Sequence, residues 1–283
     1  MSQPHTNFSV IESLCVTSKG AADNNEDRLI VSDHFVAAID GATSSNSMNG
    51  RSGGLIAAQA VADTFARLDA QATAREFVEL ATSILAERIG GGLDPKVMRP
   101  SASVVVWSRA RQQIWRVGDC HFRLDDQEFL GEKELDRIAY AFRRAVVRGR
   151  LALGVSSIEQ ERAIPTLQQP FMALVDVQHA FLNADIDDPL AYGAIDGCFI
   201  PDRFIEVFPA EQAKEVALCS DGFPRPYATL AGGLAALEKL RRDDPLMIYA
   251  NSGSRPFPCG SAYFDDTTYV RIRVDIADQP PPG

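Results

Sequence analysis

A chain of 283 residues with 46% hydrophobic content can bury one large core or two modest ones. Its formal net charge of -10 argues against nucleic-acid partners, whose binding leans on Lys and Arg. Five widely spaced cysteines without a CxxC pair exclude a disulfide framework and a zinc knuckle. No apolar run approaches ~18 residues, and residues 1–7 are polar with no signal-peptide core. The expectation is a cytoplasmic protein without a membrane segment.

In chain order, residues 8–16 alternate as a first strand. An acidic turn, Asn24-Asn25-Glu26-Asp27-Arg28, leads through a strand into a second apolar strand, Phe35-Val36-Ala37-Ala38-Ile39, which stops at Asp40-Gly41. Residues 42–54, rich in Ser, Asn and Gly, read as a loop. A helix over 55–68 sets Ile56, Ala60, Val61 and Phe65 on one face, and a second over 74–89 is stopped by Gly90-Gly91-Gly92. Residues 101–107 and 113–117 form paired strands about a turn at 109–111, with a further strand over 120–124.

A helix over 130–150 carries Arg137, Arg143, Arg144, Arg148 and Arg150, read as a solvated basic face rather than a docking surface. Residues 170–182 also read as helix. Strand signals resume at 204–208 and 215–219, so 125–201 is taken as a partly helical insertion or flap within a single domain over 1–283. A helix over 227–240, a long strand over 262–276 and a disordered tail over 277–283 complete the chain. Strict β-α-β alternation is missing, so the fold class is α+β, with mainly antiparallel sheets and helices packed outside.

Three further apolar runs end in carboxylate: Val117-Gly118-Asp119, Leu218-Cys219-Ser220-Asp221-Gly222 and Tyr263-Phe264-Asp265-Asp266. An acid at the end of a buried strand is costly unless something positive meets it. These ends, with Asp40, point to a shared divalent cation site. Magnesium and manganese take oxygen ligands, chiefly carboxylates and water, and Asp27, Asp40, Asp221 and Asp265 are the candidates. Asp40 is best placed to bridge two ions, with the Gly41 carbonyl as a further ligand. Two ions ~3.5–4 Å apart share a water, lower its pKa and aim it at phosphorus.

The rivals are weaker. Asp185-Ile186-Asp187-Asp188-Pro189 lacks the preceding strand of an aspartyl-phosphate phosphatase, and Leu190 stands where an EF-hand loop needs Gly. His5, His34, His121 and His179 show no ligand spacing, and His121 reads as strand surface. Gly90 to Gly92 lack the Lys-Ser/Thr of a phosphate loop.

With Asn25-Glu26-Asp27, Asp40-Gly41, the 101–106 strand with Val117-Gly118-Asp119, Ala217-Leu218-Cys219-Ser220-Asp221-Gly222 and Asp265-Asp266-Thr267-Thr268 in that order, the chain resembles the metal-dependent protein phosphatases of type 2C. The resemblance spans nearly the whole chain outside 125–201. It implies an α-β-β-α sandwich of two antiparallel sheets flanked by helix pairs. The implied activity is hydrolysis of phosphoserine or phosphothreonine on a protein or peptide, with two Mn2+ or Mg2+ ions.

By that resemblance Asp40, Asp221 and Asp265 bind one ion, and Asp40 with the Gly41 carbonyl binds the second. Glu26 and Asp27 act directly or through water, and Asp119 belongs to a weaker third site. Asp40 and Asp221 are the central catalytic pair. Four positions depart from the family: Ala22 replaces a phosphate-holding arginine, Ala42 a histidine, Arg225 an aspartate and Asp266 an asparagine. Arg225 is therefore the candidate phosphate contact, since guanidinium matches phosphate oxygens. Two other functions stay open: a regulatory module without turnover, and a phosphatase of a small phosphorylated metabolite.

Overall fold

Five successive apolar residues, Phe35 to Ile39, leave a strand no polar side, so both of its faces need cover. The computed structural model describes residues 7–42, 47–48, 50–90, 99–165, 168–249, 251 and 253–275. In it this strand, β3 (Phe35–Gly41), lies between helices on one face and a second sheet on the other. Its own sheet has the order β10 (Glu206–Pro209), β7 (Gln113–Val117), β6 (Ala102–Ser108), β3 and β2 (Asp27–Val31). The second sheet runs β1 (Asn7–Val16), β12 (Thr267–Asp275), β11 (Glu215–Cys219), β8 (His121–Leu124) and β9 (Gln127–Phe129). Neighbouring strands in both sheets pair antiparallel.

Alternation along each strand divides the side chains between two cores. Val36 and Ala38 meet Val105, Trp107, Val216, Leu218, Val270 and Ile272 between the sheets, where Phe8 meets Trp107 edge to face at 5.0 Å. Phe35, Ala37, Ile39, Val104 and Val106 point the other way, onto α1 (Gly53–Thr64) and α2 (Ala74–Ile89). Ser52 caps α1, and Thr73 with Glu76 forms a capping box on α2. The outer face of the second sheet, with Ala217, Cys219 and Tyr269, packs under α6 (Leu230–Asp243). The layer order is thus α-β-β-α. Beside α6 the cover comes from Met247, Phe257 and Phe264 of an irregular segment rather than from a partner helix. Pro245, Pro256 and Pro258 in that segment are incompatible with a helix interior.

Residues 125–201 hold α3 (Glu134–Ala152), α4 (Ile158–Ala163) and α5 (Met172–Val177). The helix expected over 170–182 tightens into a 3-10 turn at Gln178–Ala180. Helix α4, not anticipated, carries a capping box of Ser157 and Gln160. The expected loop over 42–54 includes a two-stranded hairpin of β4 (Ser47–Met48) and β5 (Arg51–Ser52), with residues 43–46 and 49 outside the described residues. Gly91, Gly92 and the 277–283 tail also lie outside them. Ala102 and Ile195 exchange both backbone hydrogen bonds at 2.9 Å, which fastens the 125–201 segment beside the start of β6. Among the described residues no helix is long and apolar enough to cross a membrane.

At the C-terminal end of β3 the backbone meets the first turn of α1. A Cβ on Gly41 would lie 2.3 Å from the carbonyl oxygen of Gly54, backbone that cannot swing aside. Gly41→Ala is expected to destabilise the protein by about 1–3 kcal/mol through forced displacement of α1. Gly149→Ala, on the exposed side of α3 with open space around its Cβ, is expected to stabilise it by about 0.5–1 kcal/mol. Urea midpoints of the two variants moving in the same direction would contradict this packing.

Candidate functional site

Strand parity decides which polar groups meet. Asp27 pairs with Asp40 across β2 and β3, and Asp40 with Ser103 across β3 and β6. All three share the inter-sheet face with Leu29, Ala38 and Val105, so at this end of the sandwich the apolar core gives way to carboxylate. The opposite sheet contributes Ser220, whose Oγ donates to Asp27 Oδ2 at 2.7 Å and accepts from the Thr268 amide at 2.9 Å. Asp221 follows Ser220 directly, Asp265 precedes β12, and Asp119 occupies the β7–β8 turn.

These groups surround a cavity of about 150 Å³. Glu26, Asp40, Gly41, Asp119, Asp221 and Asp265 line it, together with Asp136 and Asp266. Leu135, Ala139 and Tyr140 of α3, Phe171, and Met172 and Val175 of α5 roof it. Asp27, 1% exposed, lies outside the lining but is in electrostatic contact with both Asp40 and Asp221. Arg225 stands elsewhere: it pairs with Glu128 on β9 and is not among the lining residues. Among the described residues no three carboxylate, histidine or cysteine groups are gathered closely enough, as they stand, to hold a metal ion.

Charge sorts the acids into two sets. Asp119, at the rim, is opposed by burial, yet Lys133 at 2.7 Å and the Ser103 hydroxyl hold its carboxyl below the usual range. Asp266 is likewise held low against burial, by Lys19 and the amides of Glu26 and Ser18. Lys19 also pairs with Glu26. Burial raises Asp265, with Arg255 at 3.1 Å working against it. The inner set is Asp27, Asp40 and Asp221, to which no Lys or Arg ion pair reaches among the described residues. Burial and then the charge of Asp221 push Asp40 well above its ordinary value, and burial and Asp265 do the same to Asp221. Burial pushes Asp27 up to about 7, against the Ser220 hydrogen bond.

A divalent cation fits this inner set. The donors are all hard oxygens. Positive charge is what three crowded carboxyls require, Asp27 buried and Asp40 and Asp221 half-buried. Asp27 Oδ1 is buried with no hydrogen-bond partner, an acceptor that protein groups leave unused.

Several residues that shape the site escaped the sequence. Lys133 and Arg255, the two cations in the cavity lining, sit in unremarkable stretches and meet their acids only through the fold. Arg143, expected on a solvated face, is 1% exposed and donates to the carbonyls of Leu246, at 2.8 Å, and Met247. His121 is buried rather than on a strand surface. Its Nδ1 accepts from the Gly131 amide at 2.9 Å, and burial pushes it down to about 4, so it is neutral near pH 7.

No protein-family model matches the chain, and no curated protein matches it. Among solved structures, the Mycobacterium tuberculosis serine/threonine phosphatase PstP/Ppp aligns at 16% identity and a TM-score of 0.45, over 95% of this chain and 98% of that one. The PstP catalytic domain in complex with two manganese ions aligns at 17% and 0.47, with the same coverage. The serine/threonine phosphatase Stp1 of Staphylococcus aureus aligns at 13% and 0.44, over 97% of this chain and 96% of that one.

The raised carboxyls fix the sign of a pH effect. A group whose value is higher in the folded than in the unfolded chain binds more protons when folded, so stability falls as pH rises between the two values. For Asp27 that window runs from the ordinary carboxylate value of about 4 up to about 7. The low values of Asp119 and Asp266 act below this window, and the depressed His121 opposes the carboxyls only up to about pH 6.5. In chelator, the melting temperature is therefore expected to fall between about pH 5 and 8, less steeply in Asp27→Asn. Manganese is expected to flatten the wild-type slope by taking the place of the protons. A melting temperature in chelator that climbs across this interval would contradict the assignment.

Proposed function

We propose that this protein is a metal-dependent phosphatase acting on phosphoserine or phosphothreonine in proteins or peptides. The observation that carries the proposal is the meeting of Asp27, Asp40 and Asp221 at the end of the sandwich, with no Lys or Arg ion pair to any of the three among the described residues, beside Asp265 and Asp119. In this reading Asp40, Asp221 and Asp265 hold one Mn2+ or Mg2+, and Asp40 with the Gly41 carbonyl holds a second. Glu26 and Asp27 support them directly or through water. Asp119 suits a third ion poorly, because Lys133 already balances its charge.

The chemistry that paired divalent ions supply is a bound water of lowered pKa and charge stabilisation at phosphorus, with no need for a nucleophilic side chain. The residues of the chain do the rest. Asp40 is fixed at the end of β3 by pairing on both sides, so its carboxylate is held by sheet rather than loop. The apolar roof, with Leu135, Phe171 and Met172, covers part of the acids and strengthens electrostatic contacts beneath it. That roof also favours a second reading. A cavity of about 150 Å³ admits a phosphate on a slender stem, which a small phosphorylated metabolite provides as well as an extended side chain.

Manganese-dependent hydrolysis of an aryl phosphate is expected, abolished by chelator and by Asp40→Asn or Asp221→Asn. Comparison of a phosphothreonine peptide with small phosphate esters, by inorganic phosphate release, then separates the two substrate classes. Tight manganese binding without turnover of any ester would sink the catalytic proposal and leave a binding module.

A further inference from the structure

A phosphate monoester entering this cavity meets seven carboxylates and two cations among the described lining residues, so its own charge is opposed unless a cation is turned toward it. Lys133 is committed to acids. Its ammonium is 2.7 Å from Asp119 and 3.9 Å from Asp136, and it lies 5.2 Å from the centre of the Tyr192 ring. Arg255 differs in chemistry and in place. Its side chain is 12% exposed, it lines the cavity beside Asp265 and Asp221, and its Nη2 lies 3.1 Å from Asp265 Oδ2. A guanidinium presents five donors in a planar fork, enough to keep one arm on a carboxylate while others meet phosphoryl oxygens.

The segment that delivers Arg255 is itself held in place. Asp244 accepts from the Ile248 amide at 3.0 Å and from the Tyr249 amide at 2.7 Å. Arg143 ties the carbonyls of Leu246 and Gly253 to α3. Arg162 donates to the Phe257 carbonyl at 2.9 Å on the other side. Arg255 is thus flanked by fastened backbone, and Asp265 holds its guanidinium in the cavity wall.

We propose that Arg255 is the phosphate-binding residue of this site, its guanidinium donating to the oxygens of the ester while Asp265 orients it. The role rests on the phosphatase reading for the identity of the ligand. It accounts for two features at once: Ala22 carries no charge, and Arg225 is engaged by Glu128 away from the cavity.

The test titrates inorganic phosphate into the manganese-loaded protein by calorimetry and measures KM and kcat with an aryl phosphate. Arg255→Ala is expected to weaken phosphate binding and raise KM about tenfold to a hundredfold, the loss typical of a charge-assisted hydrogen bond. Manganese is expected to bind at least as tightly, since a cation beside Asp265 is removed. Arg255→Lys keeps the charge against Asp265 but loses the fork, and an intermediate loss is expected. It decides the question alone if the alanine variant does not fold. Unchanged phosphate affinity in the folded variants, even with a lowered melting temperature, would make Arg255 a structural partner of Asp265 and overturn the proposal. Phosphate bound through Arg255 without turnover of any ester would sink the phosphatase reading and leave this one standing; turnover and KM untouched by either substitution would do the reverse.

Discussion

Crowding of like charge at one end of an apolar sandwich is the constraint from which the rest of this structure follows. Asp27 and Asp40 sit in register on adjacent strands, and Asp221 reaches them from the opposite sheet. Moving a carboxylate out of water is costly, and placing three together multiplies the cost, because each raises the others. The protein meets part of this demand with its own cations at the rim, where Lys19, Lys133 and Arg255 each face an acid. Inside that ring it relies on hydroxyl donors such as Ser220. A folded state that tolerates such a cluster has its main stability elsewhere, in the two cores built on the faces of β3.

Much of the scaffold was legible because its signals are local. The strands Gln113–Val117 and Glu215–Cys219 have the bounds that their apolar residues suggest. Both are short, central and bounded by Gly, Asp or polar residues. The unbroken apolar run in β3 is explained by cover on both faces, and the acids after the apolar runs do face one cavity, with Asp27 just behind it.

What escaped depends on distant partners. The last strand was expected from 262 but begins at Thr267, because Asp266 is drawn off to accept from Thr17, Ser18 and Glu26. No periodicity in β12 encodes bonds made some 250 residues away. Arg143 fits the basic side of an amphipathic helix, and only the fold reveals carbonyls about a hundred residues later waiting for it. Arg225 was favoured because it replaces an acid near a conspicuous motif. In the structure Glu128, on a strand too short to be seen in the sequence, pairs with it first.

The exchange of hydrogen bonds between Ala102 and Ile195 has a mechanical consequence. Strand β6 is the immediate neighbour of β3, so the lid over the acids is stitched to the same rigid layer that carries Asp40. One margin of the roof is therefore pinned to the strand beside the one that carries Asp40, and the cover and the acids share a single backbone frame.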